Sequence, residues 1–291
     1  MKPYKTDPVL VERIWGGRRL CVYNKEVGNR VIGESWETGV LSENIPVLIK
    51  LIDAGEALSV QVHPEDEYAI RVENARNGKS EAWIVLECEE DSFIIRGFNR
   101  NIRKDELRSL LGKGRIYEIL NYVKVKKGDC VFIPAGTVHS IGKGILAYEV
   151  QQPSDLTYRL YDWDRTDQEG KGRELHIDKA VEAINYSLEL PGVTNVYDLP
   201  KEGIFNIIEC EHFKTSFRSI MENERHFYEA GRFRAITAVS GDALLHYEDS
   251  RLLMKKGDTC IIPEEYGRTI SVEGLGDAEY IVTSCSNQDL T

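Results

Sequence analysis

Two stretches of this chain are near copies of one another, and they limit what it can fold into more than any other feature. KKGDCVFIPAGTVHSI at 126–141 and KKGDTCIIPEEYGRTI at 255–270 align without a gap. Each copy places Gly-Asp at a turn, follows it with an apolar run that reads as a strand, and ends that strand at Ile-Pro. A pattern repeated at this distance calls for two β-units of one type. Most of the remaining chain also reads as short strands punctuated by Gly, Pro and Asn. Helical patterns are confined to 65–77, 103–112, 114–121 and 174–186; in the last, apolar residues recur at i, i+3 and i+4. The expectation is a mainly β chain with a few helices, divided into units at 1–195 and 196–291, with LELPGVTNVYDLP around 190–200 as linker.

Charge and composition narrow the partners. With a net charge of −11 and no local basic patch, the chain is a poor match for nucleic acid or an anionic membrane surface. No apolar stretch approaches the roughly 20 residues that span a bilayer, and MKPYKTDPVLVERIWGG lacks the apolar core of a secretory signal, so the expected location is the cytoplasm. Cys21, Cys88, Cys130, Cys210, Cys260 and Cys285 are scattered, with no C-x-x-C pair, and suggest neither a disulfide framework nor a cysteine zinc site. A small anionic substrate fits if a few Lys and Arg converge locally.

The two copies differ at the position where His139 in the first corresponds to Arg268 in the second. An imidazole can ligate a metal; a guanidinium cannot. The first copy spells G-x5-P-x-G-x2-H through Gly128, Pro134, Gly136 and His139, and this resembles the second conserved motif of cupins, small double-stranded β-barrels of the jelly-roll type. Earlier, Gly55-x5-Gln61-x-His63 resembles the first cupin motif with Gln in place of its usual first His. Alternation in LSVQVHPEDEYA puts Leu58, Val60 and Val62 on one strand face and Ser59, Gln61 and His63 on the other. Pro64 ends that strand, so the acidic ligand must come later, and Glu81 in KSEAWIVLE is the candidate. There Lys79, Glu81, Trp83 and Val85 share a face, and a carboxylate among large apolar residues needs a cation or a metal. Gln61, His63, Glu81 and His139 suit Zn²⁺, with Fe²⁺, Co²⁺ or Mn²⁺ as alternatives. His176, His212, His226 and His246 match no motif and read as structural.

The chain resembles the type I mannose-6-phosphate isomerases in their short bacterial form. The likeness runs through RIWGGRRL, GESWE, LSVQVHPEDEYA, KSEAW and IPAGTVHSIGKGILAYEVQQPSDLTYRLYDWDR, and ends in a degenerate second cupin. It implies two cupin domains, one zinc ion per chain on Gln61, His63, Glu81 and His139, a catalytic arginine at Arg159, and phosphosugar contacts from Lys50, Ser59 and Lys79. Glu149 in AYEVQQ matches a further acidic residue of the active site and is the first candidate for the proton-transferring base. The implied reaction is the interconversion of mannose 6-phosphate and fructose 6-phosphate by a monomer or homodimer. A sugar-phosphate-binding regulatory protein and a metal-dependent cupin oxygenase are the competing expectations. Whether Gln61 meets the metal directly or through water is left open by the sequence.

Overall fold

The computed structural model describes residues 1–39, 45–166, 169–200 and 206–286; the expected second unit, 196–291, includes 201–205 and 287–291, which lie outside the described residues. Among the described residues four sheets stack face to face, and every pairing between their strands is antiparallel. The outermost on one side has five strands, in the order Tyr158–Tyr161, Val60–Val62, His139–Ile141, Phe93–Phe98 and Leu120–Lys124. Behind it lies a seven-stranded sheet centred on Asp129–Ile133, Glu81–Cys88, Ile145–Gln151 and Leu48–Ala54. A six-stranded sheet follows, and a four-stranded sheet closes the stack.

Apolar alternation along the strands explains the stacking. On Glu81–Cys88, Trp83 and Val85 pack toward the five-stranded sheet with Trp15, Ile52, Ile94 and Ile141. Ala82, Ile84 and Leu86 point the other way and pack with Phe213, Ala235, Ile261 and Ile281 of the six-stranded sheet. Leu48–Ala54 and Ile145–Gln151 are therefore buried at every residue, which is why they read as near-continuous apolar runs. Hydroxyls bridge this central interface, where Tyr148 Oη lies 2.9 Å from Thr283 Oγ1, itself 3.0 Å from Thr215 Oγ1.

Both copies of the repeat form the expected turn and strand. Gly128 and Gly257 sit at φ +87° and +92°, and a Cβ at Gly257 would fall 1.9 Å from the Tyr23 carbonyl oxygen, so only glycine fits. The same turn is tied to the other sheet pair by Lys25 Nζ, which donates to the Gly257 carbonyl at 2.7 Å and to Glu37 at 2.8 Å.

Helices form at Asp66–Glu73, Lys104–Gly112 and Ile177–Ala183. The helix expected at 114–121 does not form: Gly114 stands at φ +66°, Ile116–Glu118 makes a single 3₁₀ turn, and Leu120–Lys124 is a strand paired with Phe93–Phe98. Sheet pairing satisfies the backbone there, and tertiary context overrides the local pattern. Helices Lys104–Gly112 and Ile177–Ala183 cover the outer face of the five-stranded sheet, burying Leu107, Ala180 and Val181 against Val60 and Val62. Among the described residues, no helix is long and apolar enough to cross a membrane, and all six cysteines are free.

Candidate active site

The two motifs meet because their strands are neighbours. Arg96, His139, Gln61 and Arg159 stand opposite one another in a row across the five-stranded sheet. Gly136, at φ +83°, donates its N–H to the His63 carbonyl at 2.8 Å and so bonds one motif to the other. One expectation needs correction. Leu58 does not share a core with Val60 and Val62, because the strand begins only at Val60; Leu58 turns inward beside Trp83 and Ile141 while the two valines pack outward. Glu81 arrives from the facing sheet after the inserted helix. Asp66 Oδ1 accepts from Gly78 N at 2.6 Å and from Gln152 Nε2 at 2.9 Å, and Gln152 Oε1 holds Ser80 N at 2.7 Å. These bonds fix the turn that delivers Lys79 and Glu81 to the interior.

His63, Glu81 and His139 are each 1% exposed, and their ligand atoms all lie within 4.8 Å of one another. Their protonation follows from their partners. His63 Nδ1 is 2.7 Å from the Leu156 carbonyl and His139 Nδ1 is 2.9 Å from the Thr137 carbonyl; a carbonyl only accepts, so both rings carry their proton on Nδ1. Both Nε2 lone pairs then face the carboxylate, each at 3.3 Å from a Glu81 oxygen. Burial, then the Lys79 charge, pushes the His63 pKa down to about 3, and burial lowers that of His139, so both imidazoles are neutral. Burial opposes ionisation of Glu81, but Lys79 Nζ at 2.7 Å, together with His63 and His139, outweighs it and holds the carboxyl well below its usual range. Glu81 Oε1 is buried and receives no hydrogen bond. An acceptor-rich set of two Nε2 atoms and a carboxylate, each ring oriented by a backbone carbonyl, fits a divalent metal of the zinc type. Gln61 stands beside it with its Nε2 3.3 Å from His139 Nε2 and its Oε1 accepting from Ser59 Oγ at 3.3 Å; a half-turn of the amide presents the oxygen to the cluster.

Lys79 lies inside this group, 3.0 Å from His63 Nε2 as well as bonded to Glu81. Burial works against its charge, yet the carboxylates of Glu81 and Glu149 raise its pKa. Farther along the same wall, Trp83 Nε1 donates to Glu149 Oε2 at 2.9 Å, and Lys50 Nζ lies 3.2 Å from Glu149 Oε1. That approach lacks the angle of a hydrogen bond. Burial, then repulsion from Glu81, raises the pKa of Glu149. Glu34, not singled out from the sequence, belongs here too: it accepts from Arg13 and Trp36 Nε1, both at 2.9 Å, and Lys50 stands over the Trp36 ring at 5.2 Å.

On the other side, Arg159 Nε is 3.3 Å from Ser59 Oγ. Behind it, Arg165 and Arg173 both bond Asp162, at 2.5 and 2.7 Å, which leaves this side of the site electropositive. Burial, then the neighbouring Arg173, lowers the Arg159 pKa. Lys50, Ser59, Gln61, His63, Lys79, Glu81, His139, Glu149 and Arg159 thus line one interior between the two sheets. Carbonyl partners such as Leu156 carry no sequence signal, whereas Trp83 was legible as a same-face neighbour of Glu81.

Comparisons with known proteins find relatives along nearly the whole chain. A scan against models of protein families matches none. Among curated proteins, the chain is 36% identical to the mannose-6-phosphate isomerase ManA of Bacillus subtilis (strain 168), over 97% of this chain and 98% of the relative. It is 30% identical to a mannose-6-phosphate isomerase of Streptococcus mutans, over 95% and 96% of the two chains. The crystal structure of the mannose 6-phosphate isomerase from Bacillus subtilis superposes with a TM-score of 0.84 at 30% identity, covering 97% of this chain and 99% of the other. A phosphomannose isomerase from Salmonella typhimurium, 15% identical, shares the fold with a TM-score of 0.74 over 99% of this chain and 100% of its own.

Proposed function

The chain belongs to the mannose-6-phosphate isomerase family, and from that premise we propose that it interconverts mannose 6-phosphate and fructose 6-phosphate with one zinc ion held by Gln61, His63, Glu81 and His139. The observation that carries this reading is the proton placement at the cluster, where two Nε2 lone pairs and a carboxylate converge with their protons turned away to Thr137 and Leu156. Zinc bound there supplies a Lewis acid for the substrate's carbonyl and hydroxyl oxygens.

The rest of the chemistry belongs to the chain. Isomerisation moves a proton between C2 and C1 through an enediol, with negative charge developing on oxygen. Arg159 stabilises that charge by charge-assisted hydrogen bonds from a planar guanidinium. Glu149 carries the proton: a buried carboxyl with a raised pKa, held by Trp83 and facing Lys50, can take up a proton as well as release one. Lys50, Ser59 and Lys79 bind the phosphosugar, and Lys79 adds a second cation beside the reacting end. The sheet pair itself excludes water from the ligand set.

A coupled assay for fructose 6-phosphate formation, run with and without a chelator, tests the reading. Turnover that a chelator abolishes and zinc restores is the expected result; zinc-loaded protein inactive on mannose 6-phosphate would overturn it. A sugar-phosphate-binding protein without metal is the second reading, favoured only by Lys79 sitting 2.7 Å from Glu81 as a ready counter-charge. It predicts mannose 6-phosphate binding that no chelator affects.

A further inference from the structure

We propose that His176 is a positioning residue for Arg159, holding the arginine's backbone through a neutral imidazole so that its guanidinium is aimed into the site. This rests on the catalytic role given to Arg159 above. Arg159 lies in an edge strand, and residue pairs of an antiparallel ladder alternate between those that exchange backbone hydrogen bonds and those that do not. Opposite Gln61, Arg159 turns both of its backbone groups outward, away from the sheet. His176 receives both: its own N–H donates to the Arg159 carbonyl at 2.8 Å, and its ring Nδ1 accepts from the Arg159 N–H at 3.1 Å. Two residues earlier, the Glu174 carbonyl accepts from Arg159 Nη1 at 2.7 Å. The segment 174–176 therefore grips the backbone and the head of Arg159 together. It extends the row His139, Gln61, Arg159 by one member.

A second observation separates this from ordinary helix capping. His176 is the N-cap of helix Ile177–Ala183, and its carbonyl accepts the first helical hydrogen bond, from Ala180 N at 2.8 Å. A polar N-cap side chain ordinarily accepts an N–H of its own helix's first turn. The His176 ring makes no such bond and is spent on Arg159 instead. Its partner also fixes the tautomer, because Nδ1 must be unprotonated to accept. Tyr158 supports the ring, centroid to centroid at 6.4 Å. Asn is the substitution that keeps an acceptor at the place of Nδ1; Leu fills the space without one.

The test measures kcat, KM and zinc content of zinc-loaded His176→Leu, His176→Asn, Arg159→Ala and the double variant Arg159→Ala/His176→Leu. Misplacing a catalytic group by about 1 Å costs on the order of 10²-fold, so kcat of His176→Leu should fall by about that factor. Its KM should move by less than about threefold, with zinc content unchanged. His176→Asn should recover most of the loss, and in the Arg159→Ala background His176→Leu should cost nothing further. Three results would overturn the proposal: wild-type kcat in His176→Leu, His176→Asn as slow as His176→Leu, or losses that multiply in the double variant. Wild-type activity in Arg159→Ala would instead remove the catalytic role of Arg159, and the proposal with it.

Discussion

The two sheet pairs carry the same eight strands in the same order. Leu48–Ala54, Val60–Val62, Glu81–Cys88, Phe93–Phe98, Leu120–Lys124, Asp129–Ile133, His139–Ile141 and Ile145–Gln151 correspond in pairing to Phe213–Ile220, Arg225–Tyr228, Arg234–Ser240, Ala243–Tyr247, Ser250–Met254, Thr259–Ile262, Ile270–Gly274 and Ala278–Cys285. Equivalent positions can therefore be read from the register. Lys50 stands opposite Glu149, as Ser216 stands opposite Val282. Glu81 stands opposite Ile133, as Arg234 stands opposite Ile262. At the positions where the first half places a carboxylate and an imidazole in its interior, the second half has Arg234 and Arg268. Arg268 precedes its strand and pairs with Glu248 at the surface. Strand Arg225–Tyr228, the counterpart of the Gln61 strand, contributes hydroxyl and imidazole to a closed chain: His226 Nδ1 is 2.6 Å from Tyr280 Oη, and Tyr228 Oη is 2.8 Å from it. One backbone plan thus supports a site in one interior and a hydrogen-bonded tyrosine–histidine cluster in the other. The chemistry depends on a few side chains at matched positions and not on the barrel.

Four measurements sharpen that contrast or break it. Giving the first interior the second's residue, His139→Arg, should abolish zinc binding and lower kcat by about 10³-fold or more, since the Lewis acid is worth several kcal/mol. Zinc content after dialysis reads the first effect and the coupled assay the second. Glu149→Gln should slow exchange of the substrate's C2 proton with solvent by about 10²–10⁴-fold while zinc stays bound; undiminished exchange, followed by NMR in D₂O, would take the proton away from Glu149. Arg159→Ala should lower kcat by about 10²–10³-fold, again with metal retained. Tyr280→Phe should leave kcat within about twofold but reduce unfolding stability by about 1–3 kcal/mol, because His226 and Tyr228 lose a buried partner. Urea denaturation measures that loss, and a large fall in kcat would show that the second interior takes part in catalysis.

Much of this was legible in the sequence because it depends on spacing. The repeat, the glycines at 128 and 257 and the two His-bearing motifs are local patterns, and the alternation around Glu81 correctly put Trp83 on its face. What the sequence did not show depends on the third dimension or on the backbone. No pattern says that Leu58 and Val60 enter different cores, or that residues 120–124 pair as an edge strand where a helix was expected. Asp162 gathering Arg165 and Arg173 looks like ordinary charge mixing until the chain folds. His176 sat in a helical pattern as one lone histidine, and its bond to a main-chain N–H leaves no trace in residue identity.

Strand Tyr4–Lys5 belongs to the six-stranded sheet, paired with Cys260 and Ile261. During synthesis it emerges long before its partner exists, and the outward face of the seven-stranded sheet, with Ile49, Leu51, Ile84 and Tyr148, waits just as long for its cover. A nascent chain arrested between the two halves therefore shows water an apolar face of catalytic-sheet strands. Completion of the fold is a late event that joins strand Tyr4–Lys5 to Thr259–Ile262 and covers the seven-stranded sheet, and a ribosome stalled in the second half leaves a chain suited to recognition by a chaperone.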